Sequence, residues 1–123
     1  MARVMIVDDS SFMRSSLKYI IESAGHEVVG MAVNGQEAVV MHKAVKPDLV
    51  TMDILMAEMD GLSAAAQIIK ADGKARNIMV TAIGQDEKQE QARSIGVSGY
   101  IRKPFKKEDI IAEFEKVLKH APG

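Results

Sequence analysis

The chain contains no cysteine, which excludes a disulfide framework, a thiolate metal site and a cysteine nucleophile. No apolar run approaches the roughly 18 residues that a membrane-spanning helix needs. The apolar part of the opening, Val4-Met5-Ile6-Val7, is too short for a secretory signal. Charge of one sign is missing too: 16 Lys and Arg stand against 17 Asp and Glu, for a net charge of -1. Nothing electrostatic therefore points to nucleic acid or to an anionic membrane surface. No histidine stands at the end of a strand-like run, which, with thiols absent, argues against zinc. Low-complexity segments and interdomain linkers are absent as well. These absences leave the expectation of a soluble, cytoplasmic chain without membrane insertion. Its 123 residues, 47% hydrophobic and 27% charged, suffice for one core and one domain over 1–123.

What the sequence does have is alternation. Five times a strand-like run is followed by a helix-like pattern. Residues 3–7 precede Met13, Leu17, Ile20, Ile21 and Ala24 at helical spacing, closing near Gly25. Residues 27–32, weakened by Gly30, precede a capping box of Asn34 and Glu37 and a helix running to Lys46-Pro47. Residues 48–53 precede Leu62, Ala65, Ala66 and Ile69, and residues 77–82 precede a helix over 86–95. That fourth helix is polar nearly all round, with only Ala92 and Ile95 apolar, so burial holds it weakly. A short strand over 99–103 meets Pro104, after which Ile110, Ile111, Phe114, Val117 and Leu118 form the clearest helical stripe. The pattern predicts an α/β fold, a doubly wound five-stranded parallel sheet with helices on both faces. Right-handed crossovers then bring the carboxyl ends of all five strands to one edge.

The chain is organised around residues 49–61, an apolar run that stops at Asp53 and leads to Met59-Asp60-Gly61. Asp53 falls at a strand's carboxyl end, where open α/β sheets place their chemistry. The same edge collects Asp8 and Asp9, Thr81 and Ala82, and Lys103-Pro104. Taken singly, Asp8-Asp9 suits a helix cap, Thr81 a β-branched strand position and Lys103 a solvated tip. Together they do not, because three adjacent carboxylates repel one another unless a cation sits among them. Oxygen ligands with room for water and phosphate oxygens suit Mg²⁺. Lys103 opposite the carboxylates suggests an anionic ligand, and a phosphoryl group carried covalently on Asp53 fits both features.

Four motifs then carry a resemblance over essentially the whole length. They are Val7-Asp8-Asp9-Ser10, Met52-Asp53-Ile54 with Met59-Asp60-Gly61, Thr81-Ala82, and Lys103-Pro104-Phe105. In this order on a five-fold β/α pattern, the sequence resembles the receiver domain of two-component response regulators. It is most similar to the single-domain CheY-type chemotaxis regulators, which share the Ser11-Phe12-Met13-Arg14 opening. The resemblance implies the flavodoxin-like (CheY-like) sheet order 2-1-3-4-5. It implies that Asp53 accepts a phosphoryl group from a sensor histidine kinase, and that Asp9 and Asp53 bind Mg²⁺ directly. The backbone carbonyl of Leu55 would be a third ligand, with Asp8 acting through water. Thr81 would swing to hydrogen-bond the phosphate, Lys103 would pair with it, and Tyr100 would change rotamer. Lys103-Pro104 would be a cis peptide. The implied protein is a monomeric switch and no enzyme beyond its own phosphorylation and dephosphorylation. Its partners would be the kinase, a downstream target such as a flagellar or archaellar motor adaptor, and a phosphatase.

Two positions depart from the family pattern: Ala57 replaces a common proline, and Ile95-Gly96-Val97-Ser98-Gly99 carries a second glycine before the last strand. Leu55 and Ile83 flank the line of hydrolytic attack on the phosphoryl group and are apolar, so neither orients a water. A phosphoryl bond that hydrolyses slowly is expected. His26, His42 and His120 are expected at the surface without a phosphoryl role. A phosphorelay intermediate is an alternative within the family. Outside it, an aspartyl-nucleophile phosphohydrolase would want a second Asp where Leu55 stands, and a flavin carrier would want a Gly- or Ser-rich loop where Asp8-Asp9 stands. Direct DNA binding is disfavoured because no helix-turn-helix pattern follows the fifth helix.

Overall fold

The computed structural model describes residues 2–54, 56, 59–82 and 86–119. Five strands alternate with five helices: β1 (Arg3–Val7), α1 (Ser11–Ser23), β2 (Glu27–Ala32), α2 (Gly35–Val45), β3 (Leu49–Asp53), α3 (Gly61–Ala71), β4 (Asn77–Thr81), α4 (Asp86–Ile95), β5 (Gly99–Arg102) and α5 (Lys107–Lys119). All pairings are parallel and the order is β2-β1-β3-β4-β5, as the resemblance implied.

Side-chain alternation along buried strands explains the layering. Every residue of β3 is buried, and its neighbours point to opposite sides. Val50 and Met52 join Met5, Val7 and Met79 beneath α2, α3 and α4, while Leu49 joins Val4, Ile6, Ile78 and Ile101 beneath α1 and α5. The stripe on α5 inserts Ile110, Phe114 and Val117 into that second core. Each such side chain contributes about 1.5–3 kcal/mol by leaving water.

Short-range chemistry fixes the helix ends. The side chains of Ser10, Asn34 and Asp60 accept the N–H groups of Met13, Glu37 and Ser63 at 3.2, 2.8 and 2.8 Å. The expected capping box is present, although Glu37 reaches back to the N–H of Val33 at 3.2 Å. Arg3 closes the other end of α2, donating to the carbonyls of Val45 and Lys46 at 2.8 Å each. No helix among the described residues is long and apolar enough to cross a membrane.

Several expectations need adjusting. Strands β3, β4 and β5 are each one residue shorter than the apolar pattern suggested. Asp48 falls outside β3 because its carboxylate accepts the Arg3 N–H at 2.8 Å. Neither described histidine is a plain surface residue. His26 accepts the Ala2 N–H at 3.0 Å and packs its ring 5.5 Å from that of Phe114. His42 is only 6% exposed, and its Nε2 has no hydrogen-bond partner among the described residues. Burial lowers the pKa of both imidazoles. His120 lies outside the described residues. The second glycine of the 95–99 segment, which opens β5, has a packing reason: a Cβ on Gly99 would strike the Glu113 carboxylate and come within 2.8 Å of Val117 Cγ2. Gly96 ends α4 at φ 100, a conformation that favours glycine.

Candidate functional site

The carboxyl ends of β1, β3, β4 and β5 deliver the side chains that the sequence singled out. One carboxylate oxygen from each of Asp8, Asp9 and Asp53 lies within 4.8 Å of the others. Asp8 and Asp53 are buried, at 1% and 7% exposed, while Asp9 faces solvent. Lys103 extends over them, with Nζ 3.6 Å from Asp53 Oδ1 and 4.0 Å from Asp8 Oδ2. The Lys103-Pro104 peptide is cis.

One lysine does not balance three carboxylates, and the imbalance shows in Asp53. Its pKa is pushed up to about 6, first by burial and then by the negative charge of Asp8; Lys103 opposes the shift and Asp9 adds to it. The Oδ1 atom of Asp8 accepts the Ser10 N–H at 2.9 Å, but its buried Oδ2 accepts no hydrogen bond among the described residues. An orphaned oxygen in an all-oxygen cluster of this size fits a small hard cation such as Mg²⁺. The cluster has no nitrogen or sulfur donor that would favour zinc.

Thr81 is 2% exposed, and its hydroxyl likewise has no partner among the described residues. Its backbone carbonyl accepts the Lys103 N–H at 2.6 Å, tying the ends of β4 and β5 together. Tyr100 sits two strand positions before the end of β5, half-buried against the core under α3 and α4. Leu55, Ala57 and Ile83 lie outside the described residues, so the expected carbonyl ligand and the residues flanking hydrolytic attack have no placement here.

Two contacts were not foreseen from the sequence. Arg14 donates through Nη1 to the backbone carbonyl of Asp8 at 2.8 Å. A cation near the start of a helix opposes the backbone dipole. That mismatch was the available signal that Arg14 had other business. Glu113, from α5, accepts the N–H of Tyr100 at 2.9 Å and so occupies a donor on the outer edge of β5. No local pattern pairs residues thirteen positions apart on a helix and a strand.

The Met59-Asp60-Gly61 motif also gains a reason. Asp60 caps α3, and the Gly61 N–H donates to the Ile54 carbonyl at 2.8 Å. A Cβ on Gly61 would run into the backbone carbonyl of Asp53 and lie 2.9 Å from Ile54 Cα. The helix start is thus pressed directly against the backbone that carries Asp53.

Comparison with known proteins agrees with this geometry. The family model for the response regulator receiver domain matches residues 4–115. The chemotaxis protein CheY of Thermotoga maritima is 47% identical over 117 residues, covering 95% of this chain and 98% of that protein. CheY of Halobacterium salinarum is 46% identical over 116 residues, covering 94% and 96%. Among solved structures, a CheX-CheY-BeF3-Mg complex from Borrelia burgdorferi superimposes with a TM-score of 0.90 at 33% identity, covering 94% of this chain and 88% of that one.

Proposed function

Because the chain belongs to the response regulator receiver family, closely related to chemotaxis CheY proteins, we infer that Asp53 is the phosphoryl acceptor of a signalling switch. The protein works by aspartate phosphorylation with Mg²⁺ as cofactor, and it is not an independent enzyme. The observation that carries the assignment of Asp53 is the trio of carboxylates, two of them buried, with an Asp8 oxygen that accepts no hydrogen bond and with Lys103 facing them among the described residues.

Asp9 and Asp53 would hold the metal, with Asp8 reaching it through water. When bound, Mg²⁺ supplies neutralising charge for the carboxylates and the incoming phosphoryl oxygens. The rest is done by the chain's own groups. Above its raised pKa, the ionised Asp53 carboxylate attacks the phosphorus of a phosphohistidine on a sensor kinase, its O–P bond forming as the N–P bond breaks and the kinase imidazole leaves. Lys103 Nζ, already 3.6 Å from Asp53, pairs with the phosphoryl oxygens. The Thr81 hydroxyl, which has no competing partner among the described residues, turns to donate to them. Its departure makes room for Tyr100, and the face built from α4, β5 and α5 changes shape. That face meets the downstream target, and the similarity to chemotaxis CheY proteins supports a role in chemotaxis or motility control.

Intact mass after incubation with acetyl phosphate and Mg²⁺ tests the acceptor. One added phosphoryl group is expected in wild type and none in Asp53→Asn or in chelator. Addition to a folded Asp53→Asn protein at the wild-type rate would remove Asp53 from its role.

The apolar identity of Leu55, two residues after Asp53 in the sequence, supports a long-lived phosphoryl group, since a side chain of that kind orients no water. Leu55→Asn is expected to shorten the unassisted phosphoryl lifetime severalfold, measured as decay of the phosphorylated mass. An equal or longer lifetime would sink the idea.

A further inference from the structure

We propose that Arg14 is a positioning residue for the divalent cation, acting through the Asp8–Asp9 peptide; this rests on the assignment of Mg²⁺ to the acidic cluster. Asp8 is held at three points. Its N–H donates to the Ala32 carbonyl at 3.1 Å, its Oδ1 accepts from Ser10, and its backbone carbonyl accepts the Arg14 guanidinium at 2.8 Å. Oδ2 accepts no hydrogen bond among the described residues and lies 4.0 Å from Lys103 Nζ, on the side of the cluster that Lys103 covers.

Asp9 is different. Its carboxylate lies in the cluster but is exposed and makes no hydrogen bond among the described residues. The peptide joining Asp8 to Asp9 is planar, so fixing the Asp8 carbonyl also fixes the direction in which the Asp9 backbone leaves. Arg14 sets that plane from α1, a rigid element whose N-terminus is already capped by Ser10. Without the guanidinium the peptide loses the side-chain restraint on its carbonyl while the Ala32 and Ser10 contacts remain, and binding the cation must then supply part of its order.

The charge of Arg14 makes the inference sharp. Electrostatics alone says that removing a positive charge beside a cation site tightens cation binding. Loss of positioning says the reverse. Direct titration of the unphosphorylated protein with Mg²⁺, followed by calorimetry and amide chemical shifts, separates the two. Arg14→Ala is expected to raise the Mg²⁺ dissociation constant about tenfold, the lower end for residues that support a metal ligand. Arg14→Lys, which keeps the charge and one donor on a shorter reach, is expected to fall between. Unchanged or tighter Mg²⁺ binding in Arg14→Ala overturns the proposal. Should that variant fail to fold, Arg14→Lys decides, weaker binding supporting the proposal and wild-type affinity overturning it. Asp9→Asn serves as the control on the site itself. If it loses Mg²⁺ while the Arg14 variants do not, only the positioning role falls. A wild-type protein that takes up no Mg²⁺ overturns the metal assignment and the proposal with it.

Discussion

Replacing Gly61 by alanine is expected to destabilise the protein by roughly 3 kcal/mol, within the range for forced overpacking of a tight site. At this chain length that corresponds to a fall in Tm of about 10 °C. The reason is contact, since Gly61 is not one of the described residues with a positive φ. Its Cα lies under the Asp53 carbonyl, and an added methyl group meets rigid backbone on β3 that no rotamer change can clear. The strand cannot retreat, because β3 is hydrogen-bonded to both β1 and β4. α3 must therefore shift, carrying with it the loop that follows Asp53. Thermal unfolding by circular dichroism reads the loss of stability. The same displacement is expected to slow phosphoryl uptake in whatever fraction remains folded. A Tm within a degree or two of wild type would show that the α3 start is not pressed as tightly as the geometry requires.

The second large effect has the opposite sign. In metal-free buffer near neutral pH, Asp53→Asn is expected to stabilise the protein by about 2 kcal/mol, because a raised pKa is a penalty on the ionised form. The folded-state value of about 6 lies above the ordinary value of 3.8. Proton binding at Asp53 thus favours the folded state fully below pH ~4, and that contribution disappears as pH rises through ~6. The difference between variant and wild type should accordingly be small in mild acid, grow between those limits and level off above pH ~7. Urea unfolding in a chelator at several pH values measures it. Saturating Mg²⁺ should then narrow or reverse the gap, since it stabilises the protein with the carboxylate present. A constant difference at every pH would mean that the carboxylate charge is not the cause.

Much of this was legible from the sequence because the informative signals are local. The apolar runs at β1 and β3 end in aspartates, Asn34 is followed by Glu37 at capping distance, and Lys103-Pro104-Phe105 closes the last strand. Strand alternation with right-handed crossovers then suffices to gather Asp8, Asp9, Asp53, Thr81 and Lys103 at one edge. The residues that escaped depend on contacts between distant segments. His42 sits on a helix that looks solvent-facing by pattern, yet it is covered where the ends of α2 and α3 meet. Gly99 looks like a departure from the family until Val117 and Glu113 are placed above it. Arg14 reads as an ordinary helix cation until the Asp8 carbonyl is found beside it.

The composition of α4 has a further consequence, in the currency of amide hydrogen exchange. Only Ala92 of its ten residues is buried, and the exposed Arg102–Asp86 ion pair that joins it to β5 at 2.9 Å is a contact of little net worth. Opening α4 therefore uncovers little apolar surface and leaves the sheet intact. Its amides are expected to exchange through small local openings nearly insensitive to denaturant, while those of β1 and β3 exchange only when the whole chain unfolds. The face proposed to meet partners would thus be assembled on a segment with its own low opening free energy, able to be remade while the strands carrying the acidic cluster stay closed.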